Sequence, residues 1–274
     1  MSIPVQQIPE GAAAASGRLV EEIQSVLGEA LVGAWLHGGT TFPDRPRQAG
    51  DLDICAVVSR ASPADRDLSS WQEDPRSRPS RLQAAQKSIA QDRHVAFDSM
   101  YLLVDEIGGG HPPPLAFHQT RPVLSWPIYR AHWRAGQYVH LHGRRPEEMV
   151  IEPTPDELMH ALDRELEHLE RHVFEGDAAD PYEATYAIWN GCRILYTLET
   201  GSPVISKRSA SAWGLEHLAE SWHAPIRAAG RSYDGKADDP DIELLRLNMA
   251  PFVAMVRERL PITEPRPPGS PRWS

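Results

Sequence analysis

Two aspartates separated by one residue, Asp51 and Asp53, stand at the start of the apolar run LDICAVV (52–58), and a glycine pair, Gly38 and Gly39, closes the earlier run LVGAWLH (31–37). Side chains alternate across a strand, so Asp51 and Asp53 share one face while Leu52 turns to the core. Carboxylates about 7 Å apart along a strand repel each other and gain nothing from packing. A divalent cation between them removes the conflict, and magnesium, which takes carboxylate oxygens together with substrate phosphates, suits the pair. The glycine pair leaves out side chains where a triphosphate would approach backbone N–H groups. A third acid, Asp98, interrupts the apolar run VAFDSMYLLV (95–104). A lone carboxylate in a buried strand is costly unless it is paired, ligating or protonated. If 95–104 lies beside 52–58, the three acids make a two-metal phosphoryl-transfer site, with Asp98 as ligand or proton acceptor. The plainer alternative is that Asp51 opens a strand after a turn, while Asp53 and Asp98 face solvent. Glycine pair, loop, Asp-Leu-Asp and a later in-strand Asp occurring together favour the site.

The elements that would carry these residues read as an α/β region followed by a helical one. Leu19, Val20, Ile23, Val26 and Leu27 recur at helical spacing within 12–29, the runs at 31–37, 52–58 and 95–104 suit buried strands, and 81–92 is expected to be helical. Residues 69–81, with Arg76, Arg78 and Arg81, read as an exposed loop. Gly108-Gly109-Gly110 followed by HPPP marks a break and is no P-loop, because no Gly-Lys-Ser/Thr follows. Beyond 150 the period is helical, over 153–174 (Thr154 as N-cap with Glu157 three on), 181–200, 207–220, 222–233 and 240–260. The expected domains are 1–150 and 151–260, with a disordered, proline-rich tail at 261–274.

On a helix over 181–200, at 100° per residue, Glu183, Tyr186, Asn190, Arg193 and Thr197 form one stripe opposite Ala184, Ile188, Cys192 and Leu195. A solvated outer face explains most polar stripes, but Tyr, Asn, Arg and Thr in place of Lys and Glu also suit a ligand wall. Glu165, His168 and His172 read as a surface helix rather than a metal site, and Tyr182, Trp189 and Tyr196 as core packing. The acids Glu175, Asp177, Asp180 and Glu183 suit a helix start, and could also hold the ammonium groups of a cationic ligand.

The chain has 274 residues, 41% of them hydrophobic and 24% charged, which excludes a mostly disordered protein. With 38 acidic against 28 basic side chains the net charge is −10, a field that repels nucleic acid and anionic membrane and weakly favours a cationic small molecule. Cys55 and Cys192 alone make neither a disulfide framework nor a zinc site. No secretory signal or spanning run is evident, so the cytoplasm is the expected location and a monomer the expected state.

GG…DLDICAVV with a later in-strand aspartate resembles the nucleotidyltransferase superfamily of DNA polymerase β type. Downstream, HLHGRRPEEMVIEPT (140–154) and NGCRILYTLETGSPVISKRSASAWGLEHL (190–218) resemble the aminoglycoside (3'')-adenylyltransferases, streptomycin and spectinomycin resistance enzymes, over roughly residues 18–260. The resemblance implies an N-terminal nucleotidyltransferase α/β domain with a small mixed sheet and a C-terminal α-helical bundle. It implies AMP transfer from ATP, with Mg2+, to a hydroxyl of a small cationic acceptor, an aminoglycoside. By resemblance Asp51 and Asp53 hold the metal, Asp98 is the base and a further possible ligand, and Arg193 and Lys207 reach the triphosphate when the two domains close. Tyr233 matches the nucleotide-contacting tyrosine, and Gly38, Gly39 and Gly50 the nucleotide loop. Glu183, Tyr186 and Asn190 are the expected acceptor side chains. Gly39 and Gly50 stand where the family pattern has Ser, and Asp98 where it has Glu. Two rival expectations are the same chemistry on a protein or other acceptor, and a non-catalytic nucleotide-binding homologue.

Overall fold

A four-stranded sheet in the order β3-β2-β1-β4 organises the N-terminal part of the molecule: Leu31–His37 (β1), Leu52–Val58 (β2), Phe97–Leu103 (β3) and Val139–Gly143 (β4). This computed structural model describes residues 2–44, 51–59, 76–110, 125–175 and 181–260. The expectations on Gly50, on 69–75, on the prolines after Gly110, on Asp177 and Asp180, and on 261–274 lie outside the described residues.

β1 pairs antiparallel with β2 and β4, whereas β2 pairs parallel with β3, so the sheet is mixed. The parallel pair needs a crossover, and helix Arg78–Arg93 (α2) lies in it. Ser77 caps this helix through its Oγ, which accepts from the Ser80 N–H. Arg78 and Arg81 are therefore helical, where the sequence suggested a loop; the cap and a proline in the first turn start the helix early.

Strand alternation divides the core in two. Leu36, Leu52, Ile54, Ala56 and Val58 face helix Glu10–Leu27 (α1), which supplies Leu19, Val20, Ile23 and Leu27. Trp35, Cys55, Val57 and Leu102 face the other way, onto Trp126 and Trp133 of helix Trp126–Arg134 (α4). A short helix, Val104–Ile107 (α3), follows β3. Neither α4 nor β4 was evident from sequence periodicity.

The molecule divides into two units, residues 1–154 with 202–210, and 155–201 with 211–274. The second unit contains Pro155–Glu175 (α5), Pro181–Thr200 (α6), most of Lys207–His217 (α7), His223–Tyr233 (α8) and Asp239–Arg259 (α9). Lys207 differs from its expected place in the helical region, because 202–210 belongs to the first unit. His132 Nε2 there donates to the Pro203 carbonyl at 2.9 Å, and Ser206 and Ser209 both hydrogen-bond Asp44. Among the described residues no helix is long and apolar enough to cross a membrane.

In the second unit α6 packs against α8 and α9. Gly191 permits the closest approach: a Cβ there would lie 2.7 Å from the ring of Phe252. Arg257 of α9 ties α5 down, donating to Glu170 at 2.7 and 2.9 Å and to Asp163 at 2.5 Å. Of the three aromatics expected in the core, Trp189 is buried, but Tyr182 is 65% exposed. Phe252 is fully buried, edge-on to Trp222 at 5.2 Å and close against Gly191. Phe252→Ala is expected to cost about 3–5 kcal/mol of stability, read as a shift of the urea midpoint.

Candidate active site

The parallel register of β2 and β3 places Asp53 directly opposite Asp98. Asp53 lies on the same sheet face as Cys55 and Val57, and Asp98 on the face of Met100 and Leu102, so both carboxylates project from the tryptophan-rich side at the strand beginnings. Asp51 precedes β2 by one residue and shares that face. The three carboxylates each offer an oxygen within 4.8 Å of the others. Asp51 and Asp98 are exposed and Asp53 is partly buried. Asp98 is thus no buried lone acid: β3 is an edge strand, and the carboxylate sits at its open end.

β1 ends beside this cluster, with His37 paired to Asp53 in the antiparallel register. The next residue, Gly38, has φ 71°, and a Cβ there would stand 1.8 Å from Asp53 Oδ2. Gly38 is glycine because the Asp53 carboxylate occupies the space of its side chain. Gly39 meets open space instead, and its backbone N–H donates to Asp53. The turn Gly38–Thr41 is fixed by Thr41 Oγ1 donating to the Gly38 carbonyl at 2.8 Å and by Gln137 donating to the Thr41 carbonyl at 2.9 Å.

Burial, then the neighbouring charges of Asp51 and Asp98, push the Asp53 carboxyl up to about 8; the Lys207 ammonium and the Gly39 N–H pull the other way. Three acids this close cannot all ionise without added positive charge. The donor set is all hard oxygen, and it fits a divalent cation. His37 adds no charge of its own. Burial first and the nearby His132 second depress its imidazole to about 3, and the ring lies edge-on to Tyr129 at 5.3 Å and Trp133 at 5.6 Å.

The remaining expected site residues lie on helices of the second unit. Asn190 and Thr197 are buried, and Glu183, Tyr186 and Arg193 are half-buried, so the stripe on α6 is not a solvated outer face. It is knitted along the helix: Arg193 donates to Asn190 Oδ1 at 3.3 Å, Asn190 to the Tyr186 carbonyl at 2.9 Å, and Thr197 to the Arg193 carbonyl at 2.8 Å. Tyr186 stacks on the exposed Tyr182, and burial followed by the charge of Glu165 pushes its phenol up to about 12, with Arg193 opposing. Tyr233 packs on Trp189, ring centroids 4.4 Å apart.

Residues 149–259 match the family model described as "Aminoglycoside adenylyltransferase, C-terminal domain". The fold matches spectinomycin adenyltransferase AAD(9) from Enterococcus faecialis, solved with ATP and spectinomycin, at a TM-score of 0.67 and 17% identity, over 89% of this chain and 98% of that one. The chain is thus similar to the aminoglycoside adenylyltransferases in its fold and, over 149–259, in its sequence. Comparison with curated protein sequences gives no match. The two findings give the chain the fold of an aminoglycoside adenylyltransferase, with a helical C-terminal part similar to that family's C-terminal domain.

Sequence reasoning missed His37 and Gln137 beside the turn at Gly38, and Asp44, which binds Ser206 and Ser209. The Ser206-x-x-Ser209 spacing before α7 was a readable cap signal, but its pairing with Asp44 spans 162 positions and leaves no local trace. Two outcomes are expected. Gly38→Ala should displace the Asp53 carboxylate and destabilise the protein by about 1–3 kcal/mol through a forced backbone and side-chain shift, measurable by urea unfolding. Asp53 binds an extra proton in the folded state between its ordinary range and about 8, so metal-free stability should fall as pH rises from about 4 to 8. Asp53→Asn should flatten that slope in unfolding curves recorded across the same window without metal.

Proposed function

We propose that the protein transfers AMP from ATP to a hydroxyl of a small cationic acceptor, an aminoglycoside, in a magnesium-dependent reaction. The observation that carries this reading is the convergence of Asp51, Asp53 and Asp98 beside Gly38 in an adenylyltransferase fold. A neighbouring structure with ATP and spectinomycin supports the substrate classes.

In this reading Asp51 and Asp53 hold magnesium, and Asp98 is close enough to complete the set. When bound, magnesium neutralises the phosphate oxygens and the carboxylates together. Asp98, exposed at the open end of β3, accepts the proton of the acceptor hydroxyl. That oxygen forms its bond to the α-phosphorus as the bond to the β-phosphate bridging oxygen breaks, and pyrophosphate leaves. Lys207, whose charge already reaches Asp53, supplies a cation for the triphosphate. Arg193 and Tyr233 are the nucleotide contacts that the family pattern assigns, together with the backbone of Gly38, Gly39 and Gly50. Glu183, Tyr186 and Asn190 are proposed for the acceptor. Support comes from the acidic surroundings of Tyr186, where Glu165 and Glu183 both act on its phenol, an environment suited to ammonium groups. A monomeric, cytoplasmic enzyme without a nucleic-acid partner completes the proposal.

The experiment is incubation of the purified protein with magnesium, ATP and a panel of aminoglycosides, with mass detection of one added nucleotide. Absence of any adduct across the panel, with MgATP bound, would remove the acceptor assignment. Asp98→Asn keeps size and hydrogen bonding but cannot take the proton. It should keep MgATP affinity and lose about 100-fold or more in single-turnover transfer. Asp98→Glu restores the length of the family's usual base and should preserve or raise transfer, since about 1 Å of misplacement costs on the order of a hundredfold. Full activity in Asp98→Asn would take Asp98 out of the proton transfer.

A further inference from the structure

Lys207 is the first residue of α7, and a cation at that end of a helix opposes the helix dipole. The cost is offset locally. Ser206 Oγ accepts from the Ser209 N–H at 2.8 Å, so Ser206 caps the helix, and its own hydroxyl hydrogen goes to Asp44 Oδ2. Ser209 Oγ donates to the same Asp44 oxygen at 2.6 Å. The cap is complete with Ser206 alone, yet a carboxylate has been added behind it. That carboxylate is held at a cost, because Asp44 Oδ1 is buried and lacks a hydrogen-bond partner among the described residues. Asp44 also lies in the segment that begins at the Gly38–Thr41 turn, and Phe42 within it lies edge-on to His132 at 5.8 Å. His132 in turn holds the Pro203 carbonyl. One stretch of chain, 38–44, therefore touches Asp53 at its beginning and the first turn of α7 at its end.

We propose that Asp44 is a positioning residue for nucleotide binding: by fixing Ser206 and Ser209 it sets where Lys207 presents its ammonium to the Asp53 side of the carboxylate cluster. The proposal rests on the reading that Lys207 binds the triphosphate. Two hydrogen bonds to one charged oxygen, from the cap and the first turn, fix the start of α7 against 38–44 within the first unit. Loss of the Asp44 charge also removes an anion from the positive end of the dipole, which favours fraying of the turn that carries Lys207.

The test is a double-mutant cycle on MgATP affinity, measured by titration of the full chain without an acceptor, with urea midpoints recorded in parallel. Lys207→Met should raise the MgATP dissociation constant about tenfold or more, and Asp44→Asn should raise it by a similar factor. In the Lys207→Met background, Asp44→Asn should add less than about twofold, because its effect passes through the lysine. Ser209→Ala, which removes one exposed donor to Asp44, should show the same coupling at smaller size. It carries the cycle if Asp44→Asn does not fold. A change in urea midpoint without this coupling, an equal factor in both backgrounds, or unchanged affinity in both Asp44→Asn and Ser209→Ala overturns the proposal. Unchanged MgATP affinity in Lys207→Met instead overturns the reading of Lys207 itself, and the role of Asp44 falls with it.

Discussion

Everything at the candidate site depends on like-charge repulsion at Asp53. Its carboxylate is partly buried between Asp51 and Asp98, with oxygens of all three within 4.8 Å of one another, and it keeps its proton up to about 8. Folding alone does not place three acids there; hydrophobic burial of Leu52, Ile54, Cys55 and Val57 along the same strand does so against their repulsion. The sheet supplies the driving force and the carboxylates consume part of it. Such a cluster is stable in its ionised form only with a cation in it, so binding of the cation and release of the Asp53 proton are coupled.

The strand order makes this crowding possible. In the parallel pairing of β2 with β3, Asp53 faces Asp98 across the ladder, and the antiparallel pairing of β1 with β2 brings the turn after His37 to the same end. A one-residue slip in either pairing would carry a carboxylate to the face covered by α1. Gly38 locks the register from the other side, since any Cβ there would fall onto Asp53 Oδ2. Glycine and aspartate are two halves of one packing solution.

The fold was legible where periodicity is strong. The strands 31–37 and 52–58 and the helices α1, α5, α6, α8 and α9 stand where apolar spacing put them, within a few residues. β4, with two histidines alternating outward, and α4, whose core residues are Trp126, Ala131 and Trp133, gave no period that stands out over so few residues. The proximity of Asp51, Asp53 and Asp98 was readable because strand alternation fixes a face and parallel pairing fixes a neighbour. The reason for Gly38 was not: the sequence suggested space for phosphate, whereas the structure fills that space with Asp53. The membership of 202–210 in the first unit was equally hidden, because its hydrogen bonds to His132 and Asp44 join residues that are distant in the chain.

The charge balance around the cluster is unequal by construction. His37, next to Gly38 and paired with Asp53, would be the nearest imidazole able to neutralise the acids, but burial among Tyr129 and Trp133 together with His132 keeps it neutral. A charged histidine there would satisfy Asp53 permanently and compete with any cation for it. With a neutral ring, the positive charge that acts on Asp53 among the described residues is that of Lys207, and Asp51 and Asp98 outweigh it. Among the described residues the carboxylates outweigh the nearby positive charge, and the centre is open to solvent through the exposed Asp51 and Asp98. A centre of that kind attracts cations from solution and repels a bare triphosphate, so nucleotide is accommodated best when it arrives with its metal already bound.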